Sequence, residues 1–368
     1  MANSLGIRKF DYVEFFVGSA KQVAFWHAKA MGFDILGYLG PETGHRDRCT
    51  YYLRQGDVKI QITSALQPHT YDVTDFVTRH GDGVKKLAYE VDDVEEAYKQ
   101  VMEKGGIPCE TPKKYKDEHG FVMQGSFRVY DDTEIVLINY DHYKGGVLKP
   151  GFGKPIQKYD VKREDCGLKS IDHIVGNVRP NEMDMWANYF NKIFDFETFV
   201  DFKAGDIATK YSALLSKVVR SVDNVIKHPI NEPHEGLKKS QIEEYIQEYH
   251  GSGVQHIAIR TDNIMPTVQA MRENGVEFLD VPKTYYEALR ARNLKINENI
   301  DDLEKVGILC DFEGDGYLLQ LFTKPIGDRP TFFYEIIQRV GNSQGFGKGN
   351  FQSLFEAIER DQERRGNL

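Results

Sequence analysis

The sequence predicts an α+β protein of two similar halves, residues 1–150 and 151–368, each built from two βαβββ modules and the second ending in an extra helix. Two observations carry this. The chain repeats itself once, and within each copy a short alternating strand leads into an amphipathic helix. The length of 368 residues also suits two domains at ~100–200 residues each.

The repeat is plainest where GDGVKKLAYEVDDVEEAYKQVMEKGGIPCETPKKY, from Gly81, is set against GSGVQHIAIRTDNIMPTVQAMRENGVEFLDVPKTY, from Gly251. Gly81 and Gly251, Val84 and Val254, Ala88 and Ala258, Asp92 and Asp262, Gly105 and Gly275, Pro112 and Pro282, and Tyr115 and Tyr285 coincide without a gap. One long repeat per half means duplicated domains and not a solenoid. In each copy a strand, VKKLAYEV or VQHIAIRT, comes first. A helix follows, with Val94, Tyr98 and Val101 on one face, mirrored by Ile264, Val268 and Met271. Gly105 and Gly275 stand where a helix C-cap belongs.

A weaker repeat precedes each of these. FDYVEFF, from Phe10, corresponds to IDHIVGN, from Ile171, with Asp11 matching Asp172. Trp26 and Trp186 then fall in matching helices after a one-residue slip. Between the halves, the Gly-, Pro- and Lys-rich stretch from Tyr140 reads as a linker. Modules of this kind pair to curl their strands around a shared cavity. The organisation resembles the vicinal-oxygen-chelate superfamily, whose metal ligands lie on strands facing that cavity.

Composition narrows the function. Net charge is −9, from 47 basic and 56 acidic residues, which excludes a broad nucleic-acid surface. No run of ~18 apolar residues exists to cross a membrane. The four cysteines form no CxxC pair, so a thiolate zinc site is not expected and a reducing cytoplasm is the expected compartment.

Duplication also supplies an internal control, because a ligand present in one copy alone stands out. His173 in IDHIV faces Tyr12 in FDYVE, and His256 in VQHIAI faces Lys86 in VKKLAY. Both histidines occupy equivalent strand positions, and only in the second half. Two histidines and one carboxylate with open positions are the usual holder of non-haem Fe(II). Glu335, alone among the apolar residues of FFYEIIQRV, is the carboxylate expected to join them, since an isolated buried carboxylate needs a compensating partner. A strand histidine is more often a hydrogen-bonded core residue, and Glu335 on an alternating strand could face solvent. Their joint placement favours the metal reading.

The second half closely resembles the 4-hydroxyphenylpyruvate dioxygenase family. The resemblance rests on HPINEP around Asn231, KSQIEEY around Gln241, GVQHIAI around His256, LLQLFTKPIGDRPTFFYEIIQR from Leu318 and GFGKGNFQSLFEAIE from Gly345. It implies Fe(II) held by His173, His256 and Glu335. It implies 4-hydroxyphenylpyruvate and dioxygen as substrates, oxidative decarboxylation, ring hydroxylation and side-chain migration to homogentisate, and a place in tyrosine catabolism. Ser216, Asn231, Gln241 and Gln255 correspond to polar pocket residues, Gln320 to a residue beside the keto acid, and Phe322, Phe333, Phe346 and Phe351 to aromatic residues around the ring. Family members form dimers or tetramers.

Beyond the glycines of GFGKGN, Phe351, Leu354, Phe355 and Ile358 recur at helical spacing. This predicts an amphipathic helix that either packs as an ordinary terminal helix or gates the metal. Two rivals remain open: a hydroxymandelate synthase, in which a smaller aliphatic residue replaces Phe351, and a metal-free binding module. The first half is expected to be structural or oligomer-forming.

Overall fold

The computed structural model describes residues 3–155, 161–203, 213–234, 236–292, 295–313 and 315–366, apart from the side chains of Ala213, Glu313, Phe351, Gln352 and Leu354. The first half runs β1 (Ile7–Phe16), α1 (Ala20–Ala30), β2 (Asp34–Leu39), β3 (Arg48–Gln55), β4 (Val58–Ala65), α2 (Tyr71–His80), β5 (Gly83–Val91), α3 (Val94–Glu103), β6 (Pro108–Asp117), β7 (Gly120–Val129) and β8 (Thr133–Asn139). The second runs β9 (Leu168–Asn177), α4 (Met183–Phe194), β10 (Glu197–Phe202), β11 (Ala213–Arg220), β12 (Lys227–His234), α5 (Gln241–Tyr249), β13 (Gly253–Thr261), α6 (Ile264–Glu273), α7 (Lys283–Ala291), α8 (Ile300–Val306), β14 (Leu309–Glu313), β15 (Gly316–Phe322), β16 (Phe333–Val340) and α9 (Phe351–Arg365).

Each half forms an eight-stranded sheet, and the two orders are the same: β2-β3-β4-β1-β5-β8-β7-β6 and β10-β11-β12-β9-β13-β16-β15-β14. The first strands of the two modules meet antiparallel at the centre, as β1 with β5 and β9 with β13. Each is flanked by the last strand of its own module in parallel, and the sheet curls about this central pair.

The repeated helix patterns pack as their spacing requires. Val94, Tyr98 and Val101 of α3 are buried, as are Ile264, Val268 and Met271 of α6. Each helix caps one residue earlier than expected, at Lys104 or Asn274. The glycine follows at φ 92° or 103°, a left-handed turn open to a residue without Cβ.

The copies part company at one expected match. PKKY lies within β6, whereas the aligned PKTY begins α7. The flanking sequence decides: Lys116 to Gly120 leads straight into a hairpin, while YYEALRA offers good helix formers behind Pro282. The second half thus gains α7 and α8, and its counterpart of β6 is postponed to β14.

Helices and strand faces between the sheets join the halves in one apolar core, sealed by two buried histidine–tyrosine pairs. His27 of α1 accepts at Nε2 from the Tyr334 hydroxyl of β16 at 2.9 Å, and Tyr89 of β5 donates to His228 Nε2 of β12 at 2.6 Å. Each imidazole gives its Nδ1 proton to a carbonyl, that of Val23 or Ile174. Burial lowers His27 to about 4 and His228 to about 3. From the ordinary ~6.5 down to those values the unfolded chain binds the extra protons, so stability falls as pH falls through that window. Between pH 6.5 and 5 each pair should cost about 2 kcal/mol. Urea unfolding at pH 7 and pH 5 checks this. The drop should be visibly smaller in His27→Gln, and an equal drop in wild type and variant would contradict it.

No helix among the described residues is long and apolar enough to cross a membrane.

Candidate metal centre and substrate pocket

Strand register builds this site. Ala258 of β13 is paired with His173 on β9 to one side and with Glu335 on β16 to the other. His256 precedes Ala258 by two residues and so faces the same way. At the hub there is only a methyl group, which leaves a space that three polar side chains close.

His173 Nε2 lies 3.2 Å and His256 Nε2 3.3 Å from the same oxygen, Glu335 Oε2. One donor atom from each residue falls within 4.8 Å of the others, and all three residues are buried. His173 Nδ1 lies 2.8 Å from Asp172 Oδ1, and His256 Nδ1 lies 3.0 Å from Gln255 Oε1. Those partners only accept there, so each Nδ1 carries a proton and each Nε2 points inward, where its lone pair would serve a bound metal.

Burial pushes the Glu335 carboxyl up, but His173 and then His256 override it and bring it down to about 2. Burial pulls both imidazoles down. For His173, Glu335 and Asp172 outweigh it and the net shift is upward, while for His256 burial prevails. An ionised carboxylate and two inward nitrogens at one buried point fit a divalent transition-metal ion, which would replace the contacts they make with one another.

The cavity above these donors is about 60 Å³, and Ser216, Asn231, Gln241, Gln255, Phe322, Phe333 and Phe346 line it together with the three donors. Val175, Phe202, Leu214, Val218, Pro229 and Phe355 complete the wall. Of these, Phe355 stands on the expected amphipathic helix, and the other five were not anticipated. Phe333 stacks on His256 at 4.9 Å, and Phe346 meets His173 edge-on at 5.1 Å. The cavity is well below the ~300 Å³ at which small-molecule pockets usually begin. Phe346 and Phe355 belong to the segment after β16, so movement of that segment would enlarge it.

Gln320 does not line the cavity. It is buried on β15 with no hydrogen-bond partner among the described residues for either amide atom, beneath Gly347 of the C-terminal segment. Phe351 opens α9, but its side chain lies outside the described residues. Glu335, which had no partner in the sequence comparison, acquires one from register: Ala88 pairs with Val136 as Ala258 pairs with Glu335. The corresponding point in the first sheet is thus valine.

Comparison with known proteins finds relatives over nearly the whole chain. The family profile described as hydroxyphenylpyruvate dioxygenase, N-terminal, matches residues 1–142, and that of the glyoxalase/bleomycin resistance protein/dioxygenase superfamily matches residues 170–321. The chain is 46% identical to a 4-hydroxyphenylpyruvate dioxygenase of Yarrowia lipolytica, covering 100% of this chain and 96% of that one. It is 43% identical to one of Dictyostelium discoideum, over 98% and 99% of the two chains. Among solved structures, a triple mutant of 4-hydroxymandelate synthase from Streptomyces coelicolor superposes with a TM-score of 0.84 at 28% identity, covering 97% of this chain and 99% of that one.

Proposed function

The chain belongs to the 4-hydroxyphenylpyruvate dioxygenase family, and from that premise we propose that it converts 4-hydroxyphenylpyruvate and dioxygen to homogentisate and carbon dioxide at an Fe(II) ion held by His173, His256 and Glu335. The observation that carries the reading is the meeting of those three donors on the floor of an aromatic cavity. It disfavours a metal-free binding module, which has no use for a buried carboxylate between two imidazoles.

When bound, a ferrous ion supplies a chelation point for the α-keto acid and the activation of dioxygen. The protein does the rest by position. Phe322 and Phe333 stand at the wall to hold the aromatic ring by face and edge. Ser216 and Asn231, paired across β11 and β12, and Gln241 at the first turn of α5 present hydrogen-bonding groups to the phenol. Gln255 fixes the His256 tautomer. Phe346 and Phe355 exclude water from the oxidising centre. The first half carries Tyr12, Lys86 and Val136 at the three corresponding points and serves as scaffold, with assembly into a dimer or tetramer as its second role.

Ring hydroxylation is favoured over the hydroxymandelate outcome by Phe351. Anaerobic loading with Fe(II) and 4-hydroxyphenylpyruvate, then oxygen, should give homogentisate by chromatography. Phe351→Ile should divert part of the product to hydroxymandelate. Hydroxymandelate from the wild type would overturn the assignment, and homogentisate alone from the variant would remove Phe351 as its determinant.

A further inference from the structure

Asp11 and Asp172 match between the copies, and Asp172 is not among the residues that line the cavity. Asp172 is buried beside Arg339, and the pair is doubly bonded: Arg339 Nε to Oδ2 at 2.8 Å and Nη2 to Oδ1 at 2.8 Å. The same Oδ1 accepts the Nδ1 proton of His173 at 2.8 Å. On its other side, Arg339 Nη1 donates to the Gly345 carbonyl at 2.7 Å, and its guanidinium lies 5.8 Å from the Phe346 ring. A continuous path therefore runs from a proposed metal ligand, through a carboxylate and a guanidinium, to the backbone where the C-terminal strap crosses the cavity.

The first half holds a version of the same device. Tyr140 stands four residues beyond Val136, as Arg339 stands four beyond Glu335. The Tyr140 hydroxyl donates to Asp11 Oδ2 at 2.6 Å, and the chain beyond it brings the Lys149 ammonium to 4.9 Å from the ring of Tyr12, the counterpart of His173. In both copies, then, the first-strand aspartate holds the residue from which a covering segment departs. A buried ion pair of this kind adds little net stability against an apolar replacement, so its yield is a fixed geometry.

We propose that Asp172 and Arg339 are positioning residues that couple metal binding at His173 to closure of the C-terminal strap, so that each favours the other. This rests on the metal reading given above. The closed strap fixes the guanidinium, the guanidinium fixes Asp172, and Asp172 holds the His173 ring with Nε2 inward. Such coupling is reciprocal: whatever factor the closed strap adds to metal affinity, bound metal must add to strap closure.

The test uses Zn(II), which is redox-silent, on metal-free full-length protein. Hydrogen–deuterium exchange of residues 345–366 and Zn(II) affinity by chelator competition are measured in wild type, Arg339→Lys and Gly347→Ala. Lysine keeps the charge and loses the two-pronged geometry. Alanine at 347 presses on the strap, because its Cβ would fall 2.3 Å from Gln320 Nε2. In wild type, Zn(II) should slow strap exchange roughly five-fold or more, in the ordinary range of coupling between sites. Arg339→Lys should abolish that slowing, and Gly347→Ala should weaken Zn(II) binding with every ligand intact. Equal slowing in Arg339→Lys, or unchanged affinity in Gly347→Ala, overturns the coupling. Absence of Zn(II) binding in wild type overturns the metal reading itself and the coupling with it.

Discussion

His256→Ala should fail to bind Fe(II) and lose turnover together. The loss should exceed the ~10–100-fold that removal of an outer-shell partner costs, because a donor itself is gone. The remaining pair, His173 and Glu335, offers two donors where three converged. The fold should survive, since β13 keeps its backbone pairing with β9 and β16 whatever side chain stands at 256. Iron content and product formation are measured together, with circular dichroism confirming the fold. A variant that retains both iron and turnover would remove His256 from the site.

Removing residues 346–368 should uncouple oxygen use from product. Among the described side chains, Phe346 and Phe355 are the part of the cavity wall that this segment supplies. Without them, water reaches the centre and oxygen is consumed with little homogentisate formed. An oxygen electrode and chromatography on one sample give the ratio of product to oxygen, which should fall several-fold. Deletion also exposes the apolar neighbours of Phe355 and Ile358, so a gentler variant is needed beside it. Gly347 sits at φ 76° directly over Gln320, and Gly347→Ala should move the ratio the same way by a smaller amount. An unchanged ratio in both would reduce the strap to an ordinary terminal helix.

Arg365, in the last turn of α9, grips the buried Glu244 of α5 through two oxygens at 2.6 and 3.1 Å. Strap closure is therefore held at both ends, by Arg339 at its root and Arg365 at its tip.

Much of this was legible in the residues. Duplication gave both modules, their order and the two strands that carry histidines in one copy only. The helix faces of α3 and α6 followed from spacing, because burial on one side leaves a regular trace. What stayed hidden depended on register across strands distant in sequence. That Glu335 lies opposite Ala258, and that Val136 is its counterpart, follows only from the parallel pairing of β13 with β16 and of β5 with β8. The insertion of α7 and α8 breaks the sequence alignment just before that point. Arg339 was hidden because an arginine near a strand end usually faces water, and here it is 6% exposed against a 3% exposed aspartate. Ser216, Asn231 and Gln241 carried no signal of their own, since short polar residues on strands and helix starts are common. Their positions came from family likeness.

The identical strand order of the two sheets has a consequence for natural variation. Tyr12 and His173 occupy the same place in the same architecture, as do Lys86 and His256, and Val136 and Glu335. Local environment would rank the members of each pair as equally sensitive to change. Their histories in a population should nevertheless diverge, with Tyr12, Lys86 and Val136 drifting within limits set by packing while their counterparts stay fixed. A tolerance map of the whole chain would then be lopsided about its own axis of symmetry, and that lopsidedness would locate the working half without any knowledge of the reaction.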